Sequence, residues 1–219
     1  MKREIIITSD GSTTIHLPDW NEQYHSKHGA IQEAYHVFIK SGLEVVTNNK
    51  VAILEIGFGT GLNCFITFLE AKKPIEYVGV EAYPVAQDEV EKLNYVAELD
   101  AKEHQGVFDK IHKVSWEERH QITTDFQLTK REQFFKDIDD KEMFDLIYFD
   151  AFGARVQPEL WTEEIFKKMY EALVPNGILV TYAAKGSVRR AMQAVGFSVE
   201  RLPGPPGKRE MLRATKPEL

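Results

Sequence analysis

Three carboxylates in this chain stand where apolar, β-branched runs stop, and each is placed to do chemistry. Glu55 closes Val51-Ala-Ile-Leu, Glu81 closes Ile75-Glu-Tyr-Val-Gly-Val, and Asp150 closes Met143-Phe-Asp-Leu-Ile-Tyr-Phe. Gly57, Gly59 and Gly61 follow Glu55. Glycines at such a turn let backbone approach a ligand and adopt positive φ. The pattern G-x-G-x-G after a buried strand marks a nucleotide-type cofactor site at the strand's carboxyl end. It is not the G-x-G-x-x-G of dinucleotide binders, and an acid two residues before the first glycine would repel a pyrophosphate. A cofactor with a cationic group suits it better. Glu81 lies 20 residues beyond Gly61, where an acid at a second strand end accepts hydrogen bonds from a ribose diol. Asp150 falls beside the glycine loop if the fourth strand neighbours the first. A carboxylate there can hold an incoming amine in line for attack, stabilise the charge growing on nitrogen, or accept a proton. Singly, a glycine loop is also a plain strand–turn–helix junction and an Asp is also a helix cap. Three acids at three strand ends reinforce one another.

The elements that position these groups follow from the periodicities. β-Branched runs either side of Asp10-Gly11 predict a hairpin over residues 4–17. Residues 19–29 are polar and aromatic and suit a loop or lid, and 30–39 have helical spacing. Strands are expected at 51–56, 75–81, 126–129, 143–149 and 178–183, with helices near 61–71, 84–98, 159–173 and 186–195. Residues 99–122 read as partly helical, and Pro175-Asn176-Gly177 as a turn. Gly196 reads as a helix C-cap. Two last strands, 197–202 and 209–214, flank Pro203-Gly-Pro-Pro-Gly207. The alternation predicts an α/β fold: a Rossmann-like, mostly parallel twisted sheet with helices on both faces and an antiparallel last strand. A small N-terminal β-hairpin/helix extension precedes it. One domain is expected over 1–219, with the extension at 1–50 and the catalytic core at 51–219.

Composition sets the class. Of 219 residues, 43% are apolar and 28% charged, which allows an ordinary buried core. No apolar run approaches the roughly 20 residues that span a bilayer, and the start is too short for a signal-peptide core. The single cysteine, Cys64, excludes an internal disulfide and a cysteine-only metal site. A cytoplasmic protein is expected, with no membrane and no metal. The net charge of −7 argues against wholesale nucleic-acid binding, but residues 185–219 carry eight Lys or Arg against three acids, a net of +5 that leaves −12 on the remainder. That asymmetry fits a local phosphate-binding face or a solvated C-terminal surface.

The acid two residues before the glycine loop resembles motif I of S-adenosylmethionine (SAM) methyltransferases, and the antiparallel ending is typical of their class I fold. A fuller set of motifs resembles one family more specifically. These are the loop from Glu55 to Asn63, Asp150-Ala-Phe152, Pro158-Glu-Leu-Trp161, Ser187-Val-Arg-Arg190 with Gly196-Phe197, Lys208-Arg-Glu-Met-Leu, and Asn21-Glu-x-Tyr-His-Ser26 before Gly29-Ala30. The family is the methyltransferase domain of the bifunctional tRNA wobble-uridine enzyme MnmC and its stand-alone form MnmD. The resemblance covers nearly the whole chain, and no segment resembles the flavin-dependent oxidase half.

The resemblance implies methyl transfer from SAM to the 5-aminomethyl group of a tRNA wobble uridine, often 2-thiolated. It implies tRNA as partner, through its anticodon region, and a separate enzyme that supplies the aminomethyl group. By residue, it implies that Glu55, Gly57, Phe58, Gly59, Thr60 and Gly61 line the methionine end of SAM, that Glu81 binds its ribose, and that Asp150 stands between SAM and the amine as the catalytic carboxylate. It implies that Asn63, Phe152, Pro158 and Trp161 shape the substrate pocket, and that Arg189, Arg190, Lys208 and Arg209 meet tRNA phosphates. His25 joins the substrate side if Tyr24-His25-Ser26 is a lid; it is structural if that segment packs on the sheet. Trp161 suits either base contact or helix packing. Related sequences tend to carry Gly-Asp after the third strand, the acid meeting the adenine amino group; here the alignment puts Lys130 there, with Glu132 or backbone as substitutes. A small-molecule amine methyl- or aminopropyl-transferase, and a non-catalytic SAM-fold module, are the alternative readings. A basic C-terminal face would repel a polyamine.

Overall fold

The β-branched runs flanking Asp10-Gly11 pair as β1 (Glu4–Ile7) and β2 (Thr13–Leu17) in the computed structural model, which describes residues 2–218. A two-residue strand, β3 (Glu22–Gln23), adds to β2 within the segment read as loop or lid. Helix α1 (Ala30–Ala34) continues as a π-helical turn over Tyr35–Lys40.

The core then runs β4 (Val51–Ile56), α2 (Leu62–Glu70), β5 (Ile75–Glu81), α3 (Gln87–Val90), α4 (Tyr95–Glu98), α5 (Gln105–Lys113), β6 (Arg119–Thr123), β7 (Phe126–Glu132), β8 (Phe144–Phe149), α6 (Glu163–Ala172), β9 (Leu173–Thr181), α7 (Gly186–Ala194), β10 (Ser198–Pro203) and β11 (Glu210–Thr215). Eight strands form one sheet in the order β10-β11-β9-β8-β4-β5-β7-β6. The five inner strands β9, β8, β4, β5 and β7 pair in parallel. β11 runs antiparallel between β9 and β10, and β6 runs antiparallel on the far edge.

Alternation along the inner strands builds two apolar layers. Ile53, Tyr77, Leu128 and Tyr148 face Phe38, Phe65 and Ile111 on one side. Leu54, Val78, Ile147 and Phe149 face Phe166, Met169 and Met192 on the other. The strands β4, β5 and β8 are therefore apolar at nearly every position, the pattern of a sheet covered on both faces.

Five local expectations change. The helix expected over 84–98 is two short helices, because Asn94 between them is captured by the hairpin: its Oδ1 accepts from Thr13 N at 2.8 Å and its Nδ2 donates to Gly11 O at 2.9 Å. β6 was hidden in a mixed polar stretch because an edge strand with one buried residue carries no apolar signature. Its partner β7 runs to Glu132 rather than Thr129. Pro175-Asn176-Gly177 lies inside β9, where the register against β8 shifts between Phe144 and Leu146; Asn176 takes φ 65°. The stretch from Pro158 begins as a 3-10 turn through Trp161 before α6 starts, capped by the Thr162 hydroxyl, which accepts from Ile165 N at 3.4 Å. Among the described residues no helix is long and apolar enough to cross a membrane.

The chain leaves β4 toward β5 on one side and later returns to β8 on the other. The carboxyl ends of β4 and β8 thus frame a crevice at the reversal of strand order, where ligands of open α/β sheets bind.

Candidate active site

The glycine loop forms the crevice floor. Gly57 N and Phe58 N both donate to Val80 O at 3.0 Å, which ties the loop to β5. Gly57, Gly59 and Gly61 all take positive φ, at 89°, 50° and 71°. A Cβ on Gly57 would lie 2.7 Å from Asp150 O, so the loop and the end of β8 touch backbone to backbone. At Gly59 a Cβ would lie 3.0 Å from the Tyr24 ring. Glu81 Oε2 accepts from Gly59 N and Oε1 from Tyr83 N, both at 3.0 Å. Burial raises the Glu81 pKa, opposed by those backbone donors.

A cleft of about 920 Å³ opens above, lined by Gly57, Phe58, Gly59, Asn63, Glu81 and Asp150 among others. Its far end carries Tyr83 and Phe134, edge to face at 6.1 Å and both exposed. Neither was anticipated. Their signal was position, since each lies just past the end of a parallel strand. The glycine cradle, the Glu81 carboxylate at the end of β5 and the aromatic pair Tyr83 and Phe134 fit SAM.

Asp150 is half-buried on the cleft wall. Burial lifts its pKa to about 7, helped by the nearby Glu33 charge and opposed by Asn63 and Lys208. Asn63 Nδ2 donates to Asp150 Oδ2 and to Glu55 Oε1, each at 2.9 Å. Glu55 is completely buried and its other oxygen accepts from Tyr77 OH at 2.8 Å. Desolvation raises its pKa well above the carboxylate range. Glu55 therefore does not line the cleft as expected; it lies beneath the loop, because its β4 position points into the layer holding Tyr77.

The extension supplies one wall. Trp20 and Tyr24 meet the Phe152 ring edge to face at 5.7 and 5.0 Å. Arg155 fastens that segment through Trp20 O, Asn21 O and the Glu22 carboxylate. His25 also lines the cleft. Its backbone N–H donates to Thr14 Oγ1 and its Nδ1 lies 2.9 Å from the same hydroxyl. Burial lowers its pKa to about 4, so the ring is neutral near pH 7. The segment is thus both cleft wall and packed extension.

Other expected residues lie apart from this cleft. Thr60 is buried and receives a hydrogen bond from Tyr95 OH, and Gly61 is buried at the start of α2. Trp161 is core: it packs on Phe149 at 5.1 Å and donates Nε1–H to Phe152 O at 2.7 Å, a contact that shapes the cleft from behind. Pro158 is exposed outside the cleft. Lys208 pairs with buried Glu33 and lies 4.0 Å from the Tyr182 ring centre, so its charge is already engaged. Arg201, Arg213 and Lys216 are paired too. Lys185, Arg189, Arg190 and Arg209 form no ion pair among the described residues. Lys185, Lys208 and Arg209 line a second groove of about 560 Å³ whose lining includes Gly153, three residues past Asp150. Lys130 faces away from the cleft: it is buried, donates to His112 O at 2.8 Å and lies over Trp116. Glu132 does not line the cleft either; Phe134, Phe135 and Lys136 occupy that edge. Among the described residues no cluster of His, Cys, Asp or Glu is arranged to hold a metal.

The chain is similar in sequence and in fold to known proteins. The chain is 26% identical over 90% of its length to the tRNA 5-methylaminomethyl-2-thiouridine biosynthesis bifunctional protein MnmC of Pseudomonas savastanoi, covering 32% of that protein. It is 28% identical over 95% of its length to the protein of the same name from Cupriavidus metallidurans, covering 33% of it. It thus spans about a third of the curated relatives it matches. Among solved structures, MnmC2 from Aquifex aeolicus superposes with TM-score 0.73 at 23% identity, over all of this chain and 73% of that one. A spermidine synthase in complex with a transition-state analogue gives TM-score 0.61 at 16% identity, over 98% of this chain and 70% of that one. Both show the class I methyltransferase fold. A family model described as S-adenosyl-L-methionine-dependent methyltransferase matches residues 91–217, more than half of the chain, and with that match the chain belongs to the SAM-dependent methyltransferases, with SAM as its cofactor.

Proposed function

We propose that this chain methylates the primary amine of 5-aminomethyl-(2-thio)uridine at the tRNA wobble position, giving the 5-methylaminomethyl product. The observation that carries the reading is Asp150: a half-buried carboxylate on the cleft wall, touching the glycine loop and in no ion pair among the described residues. The curated relatives named for this modification, aligned over nine-tenths of the chain, support the substrate.

Bound SAM supplies an electrophilic methyl group on a sulfonium. The glycine loop and Glu81 would hold it, with Tyr83 and Phe134 against its base. Asp150 Oδ2 is engaged by Asn63, which leaves Oδ1 to accept an N–H from the substrate amine and so aim the nitrogen lone pair. The same oxygen takes the proton that nitrogen sheds once it has gained its fourth bond. Phe152, Trp20 and Tyr24 would exclude water from the amine. The second groove, with Lys185 and Arg209, and the nearby Arg189 and Arg190 would hold tRNA phosphates; Lys208 is reserved for Glu33. We further propose a cytoplasmic location and a separate enzyme that supplies the aminomethyl group.

The test is incubation with SAM and tRNA carrying the aminomethyl nucleoside, followed by mass spectrometry of wobble nucleosides. A gain of one methyl on that nucleoside is expected. Transfer to a polyamine with none to tRNA would overturn the substrate and favour the small-molecule reading.

A further inference from the structure

Asn63 sits between two carboxylates that belong to different strands. It is the second residue of α2, 3% exposed, with Glu55 on β4 to one side and Asp150 beyond β8 to the other. A primary amide nitrogen has two hydrogens, and here each is spent on one carboxylate at 2.9 Å. The amide oxygen is buried with no partner. Burying an acceptor unpaired is costly, and the fold accepts that cost while keeping both N–H groups on carboxylates. Both Glu55 oxygens are occupied inside the protein, one by Asn63 and one by Tyr77 OH.

We propose that Asn63 is the positioning residue for Asp150, and that Glu55 anchors Asn63 rather than touching the cofactor. The assignment rests on the proposed role of Asp150 and concerns how that carboxylate is aimed. With one N–H fixed on Glu55, the amide cannot rotate without breaking a second bond, so its other N–H defines where Asp150 Oδ2 points. The free Oδ1 is then presented in one direction. Other groups also bear on Asp150: Glu33 from α1 raises its proton affinity, Lys208 from the loop before β11 lowers it, and Tyr182 follows β9. Burial raises the Glu55 pKa well above its ordinary value, and replacing it by Leu removes the acceptor that holds the Asn63 amide. Losing a Glu55 charge would by itself lower the proton affinity of Asp150, so a rise in that affinity has to come through Asn63.

The experiment is carbon-detected NMR titration of the Asp150 carboxyl in the full chain without SAM, the signal assigned by its loss in Asp150→Asn. Calorimetric SAM affinity and melting temperature are measured alongside. In Asn63→Leu the Asp150 midpoint should rise by about one unit, because a donor to the charged form is gone. SAM affinity should change less than about threefold. Asn63→Ser keeps one hydroxyl donor and should give a smaller rise, which keeps the test open if the leucine variant does not fold. Glu55→Leu should shift the midpoint upward as well, and the double variant no further than Asn63→Leu alone, since both act through one bond. An unmoved midpoint in both Asn63 variants would overturn the proposal. So would a tenfold loss of SAM affinity in Glu55→Leu with the midpoint unchanged, which makes Glu55 a cofactor ligand. None of these readouts uses tRNA, so failure of the wild-type chain to methylate tRNA refutes the substrate reading separately.

Discussion

At the scale of single residues, the proposed reaction depends on one carboxylate whose proton is held more tightly than usual. Asp150→Asn keeps the shape and the Asn63 contact region but removes the charge. Turnover should fall by about 10²-fold, the usual scale for a positioned acid–base group, with SAM affinity nearly unchanged by calorimetry. Unaltered turnover would make Asp150 structural. In the wild type, kcat/KM should rise with pH through about 7 as Asp150 loses its proton, and the variant should lack that limb. That Gly57, Gly59, Glu81 and Asp150 line one cleft was legible in the sequence, because each is defined by residue type at a strand end. The neighbours were less so. Sequence cannot show that one amide reaches two acids from different strands; Asn63, read as pocket-shaping, does line the cleft, while Glu55, read as a ligand, is buried beneath it. Lys130 was placed at the adenine position by alignment, yet strand alternation puts it with Phe126 and Leu128 on the helix-covered face. Tyr83 and Phe134 carry no motif and emerge only when β5 and β7 stand side by side.

At the scale of elements, the N-terminal extension and the C-terminal hairpin hold each other. Glu33 of α1 pairs with Lys208, and His36 Nε2 lies 2.8 Å from Pro203 O. The basic cluster thus divides into paired cations, Arg201, Lys208, Arg213 and Lys216, and the four cations to which the proposal gives tRNA phosphates. Charge reversal at Lys185, Arg189, Arg190 and Arg209 should weaken tRNA binding and flatten its salt dependence, each lost phosphate contact lowering the slope by about one. SAM affinity should stay the same. A quadruple variant with unchanged tRNA affinity and salt slope would mean that tRNA docks elsewhere. The charge asymmetry was visible in the sequence, but the pairing was not, because Glu33 is 175 residues from its partner. The same distance effect explains α3 and α4: the hairpin's hold on Asn94 overrides the local helical signal. β6 escaped for a different reason, since an exposed edge strand has no need of apolar residues.

At the scale of the molecule, buried titratable groups give stability an opposed pH dependence. Asp150 holds its proton up to about pH 7 in the fold, while its unfolded counterpart loses it near 3.8. Between those values the native state binds more protons, so this group's contribution falls as pH rises. His25 titrates near 4 when folded and near 6.5 when unfolded, so its contribution falls as pH drops through that window. The two partly offset. Melting curves should show Asp150→Asn gaining on the wild type from pH 5 to pH 8, and His25→Asn gaining from pH 7 to pH 5. A constant difference across either range would show that the group is not buried as described. The fold class itself was readable from alternating strands and helices, since a doubly covered parallel sheet leaves long apolar runs in any sequence. The place of β11 has a further consequence, for the order of assembly. β10 is made first but bonds only to β11, which lies between it and β9. As the chain leaves a ribosome, β10 has nothing to pair with, and the edge of β9 stays open until residues 210–215 arrive. The sheet therefore closes from the end of the chain backward, and its last-made strand is the one that seals the first-made core.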